Sequence, residues 1–190
     1  CSWFGAAALV AIGHLCPKLR VLNLRFCPRL PLAALGELGK LLPNLEEMIL
    51  DGNSELKDDD LLSCTRNMRG LRVLRLGGCR ELTDTGIGRA IGSLRRMPHL
   101  HTLSLLACYN LSAEGVAPVI LGKNLRVLNL MAVWSCGDEV ASAIGKYCPN
   151  LDTVFLGGHV MVTDVGIEAL AKGCSKLRNF MGWWCEQCGD

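Results

Sequence analysis

LRVLRLGGC, residues 71–79, is one of seven near-copies of a single nine-residue template. The others are LRVLNLRFC (19–27), LEEMILDGN (45–53), LHTLSLLAC (100–108), LRVLNLMAV (125–133), LDTVFLGGH (151–159) and LRNFMGWWC (177–185). They share the pattern L-x-x-L-x-L-x-x-C/N, with substitutions. Their leading residues Leu19, Leu45, Leu71, Leu100, Leu125, Leu151 and Leu177 stand 26, 26, 29, 25, 26 and 26 residues apart. A fixed period of this size marks a stacked architecture, because each unit has an apolar face that only its neighbours can cover.

Within one copy, side chains alternate between the two faces of a short strand: Leu22 and Leu24 point one way, Val21 and Asn23 the other. Polar loops and helical segments separate the strands, as in ELTDTGIGRAIGSL (81–94) and MVTDVGIEALAKGC (161–174). Thr83-Asp84 and Thr163-Asp164 offer N-cap side chains, and Ile167, Leu170 and Cys174 recur at helical spacing. The expected fold is an α/β solenoid of about seven 26-residue repeats, a horseshoe with a curved inner parallel sheet and outer helices, forming one domain over residues 1–190. Cys1 falls on the ninth position of an earlier repeat and Asp190 aligns with Asp164, so partial repeats stand at both ends and an interior segment of a longer chain is expected.

The totals narrow the function class. Twenty basic against 18 acidic residues, net +2, give no default affinity for nucleic acid or an anionic membrane. Eleven cysteines, an odd count in a chain of this size, favour a reducing compartment, cytoplasmic or nuclear, over a disulfide-stapled secreted scaffold. The apolar stretch AAALVAIG (6–13) is too short to cross a bilayer and has no charged lead-in.

The 26-residue period, cysteine at the ninth position, and the lead-ins Cys16-Pro17-Lys18-Leu19 and Cys148-Pro149-Asn150-Leu151 resemble the cysteine-containing leucine-rich repeats of F-box/LRR proteins. The resemblance covers essentially the whole chain. It implies a protein substrate held on the concave face while a separate F-box, not among these residues, docks a ubiquitin ligase core. Similar repeats in ciliary, axonemal and mitochondrial structural proteins leave a permanent assembly subunit as the alternative. Departures are Asn53, Val133 and His159 at the cysteine position, and a three-residue excess that carries the basic SLRRM (93–97).

The cysteines follow the repeat. Cys1, Cys27, Cys79, Cys108 and Cys185 hold the ninth position, and Cys16, Cys148 and Cys174 stand three residues before a leading leucine. Both patterns fit small, buried, weakly donating side chains better than reactive thiols. Cys185-x-x-Cys188 with His159 would supply three zinc ligands but no clear fourth, and Cys188 shares the apolar position of Leu82, Leu111 and Val162. No metal, cofactor or catalytic residue is therefore assigned, and a metal or thiol enzyme centred on residues 159–188 is the remaining rival. His14, His99 and His101 lack catalytic spacing, and Gly77-Gly78 and Gly157-Gly158 lack the Lys-Ser/Thr of a phosphate loop, fitting a bare turn after the strand instead. Asp58-Asp59-Asp60 fits a helix start, where carboxylates favour the dipole.

If the strands line a concave wall, the outward positions map it. Phe26, Arg75, Leu106, Met131, Trp134, Phe155, Met181, Trp183 and Trp184 are the expected partner-binding residues. The apolar weight lies in the C-terminal half, where exposed aromatic side chains suit a protein partner. Arg25, Glu47, Asp51 and Arg75 are expected to give polar orientation at the other end.

Overall fold

The computed structural model describes residues 5–27, 29–91, 97–121, 124–158 and 161–182. Strands and helices alternate through them: α1 (Ala6–Leu15), β1 (Val21–Asn23), α2 (Leu32–Leu41), β2 (Glu47–Ile49), α3 (Asp58–Thr65), β3 (Val73–Arg75), α4 (Asp84–Ala90), β4 (Thr102–Ser104), α5 (Ala113–Ile120), β5 (Val127–Asn129), α6 (Asp138–Tyr147), β6 (Thr153–Phe155), α7 (Asp164–Gly173) and β7 (Asn179–Met181). The strands form one parallel sheet in sequence order. Its register pairs Leu22 with Met48, Leu74, Leu103, Leu128, Val154 and Phe180 in turn, the same steps that separate the leading leucines.

The inward residues predicted from alternation are the core. Leu22, Met48, Leu74, Leu103, Leu128 and Val154 form one buried row, and Leu24, Leu50, Leu76, Leu105, Leu130 and Leu156 a second. Helix residues such as Leu35, Leu61, Ile87, Val116, Ile144 and Leu170 close the core from outside. Strands repeat every ~4.8 Å while packed helices need 8–10 Å, so the helix side must splay and the sheet must curve inward.

Backbone pairing continues past each three-residue strand. The residue just before the ninth position turns the chain: Phe26, Ala107 and Ala132 have φ of 50°, 54° and 56°, and Gly52, Gly78 and Gly158 have φ of 78°, 73° and 82°. This left-handed bend, one residue before the ninth position, aims each N–H along the sheet direction. Phe26 N donates to Asp51 O, Gly52 N to Gly77 O, Gly78 N to Leu106 O and Ala107 N to Met131 O, at 2.6–2.8 Å. Glycine adopts this φ freely, which explains the second glycine of each Gly-Gly pair.

The ninth position is a hydrogen-bonded column. Cys79 Sγ donates to Leu50 O at 3.4 Å and Cys108 Sγ to Leu76 O at 3.1 Å, each reaching the previous repeat. Asn53 does the same work with an amide, donating to Leu24 O at 2.9 Å and Leu50 O at 2.7 Å and accepting from Cys27 N. Cys136 occupies the apolar position of Leu56, Leu82 and Leu111 and is buried with them. Cys148 and Cys174 are buried as expected, but Cys16, at the equivalent place after α1, is exposed. Cys148 Sγ donates to Ile120 O of the preceding repeat; Cys16 has no described helix on that side. Burial, the first cause, pushes the thiols of Cys64, Cys108, Cys136 and Cys148 up to about 12, so they stay protonated at neutral pH.

A second expectation is corrected at the helix starts. Thr163 caps its own helix, accepting from Val165 N at 3.2 Å, whereas Thr83 does not cap α4. Thr83 donates its hydroxyl to Asp58 Oδ2 at 2.6 Å, as Thr163 does to Asp138 Oδ2, but unlike Thr163 it accepts no amide of its own helix.

Candidate protein-binding wall

The outward strand positions form a wall of mixed character. At its polar end Asp51 is not displayed as expected but buried: its Oδ1 accepts from Gly77 N at 2.8 Å, and its Oδ2 lies 3.1 Å from Arg75 Nε. That ion pair has no hydrogen bond along it, since Asp51 Oδ2 and Arg75 Nε are buried atoms without a hydrogen-bond partner, as is Ser104 Oγ on the adjacent strand. Arg75 keeps its side chain 43% exposed, so it alone of the pair can reach a partner. Arg25 lies with its guanidinium carbon 5.1 Å from the Phe26 ring centroid. Phe26 is 61% exposed, separate in sequence order from the other aromatic residues of the wall.

The apolar residues sort into two columns and a rim. Leu106 and Met131 are neighbours across β4 and β5, linked through Ala107 N and Met131 O; Leu106 is 36% exposed and Met131 half-buried. Phe155 and Met181 pair across β6 and β7, the first half-buried and the second 40% exposed. Trp134 stands on the rim, one residue past the ladder, 53% exposed. Trp183 and Trp184, and the Cys185-x-x-Cys188 motif with His159, lie outside the described residues, as do Cys1 and residues 93–96 of the basic insertion.

Sequence reasoning missed one member of the rim. Tyr109 occupies the same repeat position as Trp134 in the preceding repeat, and the two rings meet at 6.3 Å between centroids with a 33° tilt. Arg80, one repeat earlier again, places its guanidinium 5.4 Å from the Tyr109 centroid. The signal was available, since the tenth template position holds Arg80, Tyr109 and Trp134 in successive repeats. Tyr109 and Trp134 are exposed, so the stack presents aromatic surface to solvent rather than filling the core.

Among the described residues no group of three or more His, Cys, Asp or Glu converges on a metal-sized point, and no helix is long and apolar enough to cross a membrane.

No protein-family model matches the chain. F-box/LRR-repeat protein 4 of Bos taurus is 31% identical over 184 residues, covering 93% of this chain and 29% of that protein. Antagonist of mitotic exit network protein 1 of Eremothecium gossypii is 34% identical over 214 residues, covering 88% of this chain and 53% of that protein. The chain thus spans about half or less of these relatives' lengths. Among solved structures, the yeast Rad7 and Elc1 complex contains a chain that matches all of this one and 76% of its own length, with a TM-score of 0.55 at 17% identity, a likeness of fold. The period, the cysteine column, the single parallel sheet and these relatives agree: the chain belongs to the leucine-rich repeats of the F-box/LRR type.

Proposed function

We propose that this chain is a non-enzymatic protein-binding module whose concave wall captures a protein partner. The observation that carries the reading is the exposed apolar set on that wall, above all the Tyr109–Trp134 pair with Leu106, Met131, Phe155 and Met181 nearby in the repeat frame. Aromatic and aliphatic side chains of this kind supply most of the affinity at protein interfaces, and a flanking arginine adds orientation. Arg75 takes that second role at the polar end, and Phe26 extends the surface on that side. The buried, protonated thiols give no support to nucleophilic chemistry.

The finer reading is the substrate-recognition region of an F-box/LRR-like ubiquitin ligase adaptor. Its support is the family of the curated relatives, whose names pair this repeat with an F-box. In this reading the ligase core is reached through sequence outside the chain.

Photo-crosslinking tests the wall directly. A photoreactive residue at Phe155 or Trp134 should give a discrete crosslinked protein from cell extract, while the same residue at Glu168 on the outer helix α7 should not. Trp134→Ala combined with Phe155→Ala should weaken capture of that protein by about ten-fold or more, in line with interface hot spots, with the melting temperature unchanged. Equal crosslinking from both faces, or capture unaffected by the double substitution, refutes the proposal. Recovery of ligase-core subunits only when upstream sequence is included supports the adaptor role.

A further inference from the structure

The edge of the sheet where the strands begin carries a second pattern, independent of the concave wall. The second residue of each repeat template, immediately before its strand, reads Arg20, Glu46, Arg72, His101, Arg126, Asp152 and Arg178. Successive members are joined through the backbone: Glu46 N donates to Arg20 O, Arg72 N to Glu46 O, His101 N to Arg72 O and Arg126 N to His101 O. Charge alternates along this column, with a carboxylate between one arginine and the next. Glu46 lies 3.1 Å from Arg20 and 3.7 Å from Arg72, and Asp152 lies 3.7 Å from Arg178. The alternation fails once, at His101, where the position between Arg72 and Arg126 holds no carboxylate.

A groove of about 430 Å³ opens at this break. Arg72, His99, His101, Asn124, Arg126 and Asn150 line it, with no acidic residue among them. Arg126 has no ion pair among the described residues, and the Asp152 carboxylate is engaged instead by Arg178 and by the Thr153 hydroxyl. His101 Nδ1 meets Thr102 Oγ1 at 3.1 Å, which leaves Nε2 for an outside acceptor.

We propose that this groove docks an acidic peptide segment of a protein partner, a side-chain carboxylate taking the place between Arg72 and Arg126 that the repeat leaves without one. Glu46 and Asp152 bracket the groove, so the uninterrupted cationic stretch is two strand spacings, about 10 Å, the reach of roughly three extended residues. That length suits a short acidic motif and is too brief to track a nucleic-acid backbone or a membrane surface. Arginine matches carboxylate geometry, and the His101 imidazole adds charge as pH falls. Burial first, then Arg126 and Arg72, hold the His101 imidazole below its ordinary range, with Glu47 opposing. A bound carboxylate reverses the effect of the two arginines, so binding takes up a proton and tightens as pH drops through the ordinary histidine range.

The test uses the whole chain and a fluorescent hexa-aspartate peptide, read by anisotropy at low salt, with hexa-asparagine and a single-stranded DNA of equal charge as comparisons. Hexa-aspartate should bind, more tightly at about pH 6 than at pH 7.5, and hexa-asparagine should not. Arg72→Ala with Arg126→Ala should cost about ten-fold or more in affinity. His101→Glu, which completes the alternation internally, should abolish binding while leaving the melting temperature equal or higher. Trp134→Ala should change nothing, which separates this groove from the concave wall. The inference is overturned if His101→Glu, or the arginine pair should the former not fold, binds like the parent, or if the DNA binds more tightly than the peptide.

Discussion

Asn53 shows how a single side chain can keep a repeat column intact. Where its neighbours use a thiol to reach one carbonyl, its amide makes three buried hydrogen bonds, to Leu24 O, to Leu50 O and from Cys27 N. Removing it takes the amide partner from Leu24 O and Cys27 N, while Leu50 O keeps Asn53 N and Cys79 Sγ, and buried unpaired groups cost more than the bonds they lose. Asn53→Ala should therefore destabilise the chain by about 2–4 kcal/mol, and Asn53→Cys, which can still donate to Leu24 O, by less; urea denaturation checks both. The thiols themselves should be told apart by alkylation. Cys16 is exposed while Cys64, Cys108, Cys136 and Cys148 are buried with their pKa pushed to about 12. Mass spectrometry after a short iodoacetamide pulse at neutral pH should find Cys16 labelled well ahead of those four.

At the scale of elements, the helices are joined by a clasp that neither repeat possesses alone. Asp84, first residue of α4, accepts from the backbone and hydroxyl of Ser112 at the start of α5. Asp58 does this for Thr83, and Asp138 for Thr163 and also for Gly166 N. The third helical residue of each receiving helix is glycine, and a methyl group at Gly86, Gly115 or Gly166 would overlap the incoming carboxylate. Where the aspartate is missing, as at Leu32 and Ala113, the next helix supplies its own acceptor: Asp60 for Lys57 N and Glu139 for Gly137 N. Asp84→Ala should cost about 1–3 kcal/mol, measured by thermal or urea unfolding. Asp138 gives the clasp a pH signature. The Thr163 hydroxyl first, and its N–H second, hold the Asp138 carboxyl below 3.8, so the unfolded chain binds a proton at higher pH than the folded one. Its contribution to stability is complete above that value and is lost as pH falls through the lower folded value. The difference in urea midpoint between the parent and Asp138→Asn should shrink on acidification from pH 5 toward 2; a constant difference would rule the clasp out as its source.

At the scale of the molecule, stability is carried by contacts between successive repeats, since each strand is only three residues long and each helix has a single buried face. Leu128 lies at the centre, fully buried and flanked by Leu103 and Val154. Leu128→Ala should cost about 2–5 kcal/mol through lost burial and the cavity left behind. Because its neighbours on both sides depend on it, the loss should appear across the chain in hydrogen exchange. The amides of Leu105 and Leu130, which donate to Asn129 O and Phe155 O, should exchange faster in the variant. A loss of protection confined to β5 would show that the repeats are less coupled than their stacking implies.

The period, the inward leucine rows and the strand register are legible in the amino-acid sequence, because a strand's alternation and a repeat's spacing are local properties that stacking copies without change. So are most positions of the cysteine column, and the outward placement of Leu106, Phe155 and Trp134 in the repeat frame. What the tertiary structure decided are relations between repeats, where residues 25–30 apart meet. That Thr83 answers Asp58, and that Asp51 is buried against Arg75 and Gly77 rather than displayed, depends on distances across the stack. The pairing of Tyr109 with Trp134 and the missing carboxylate at His101 are of the same kind. Each is a column running perpendicular to the chain, and a column has no meaning until stacking sets one repeat beside the next.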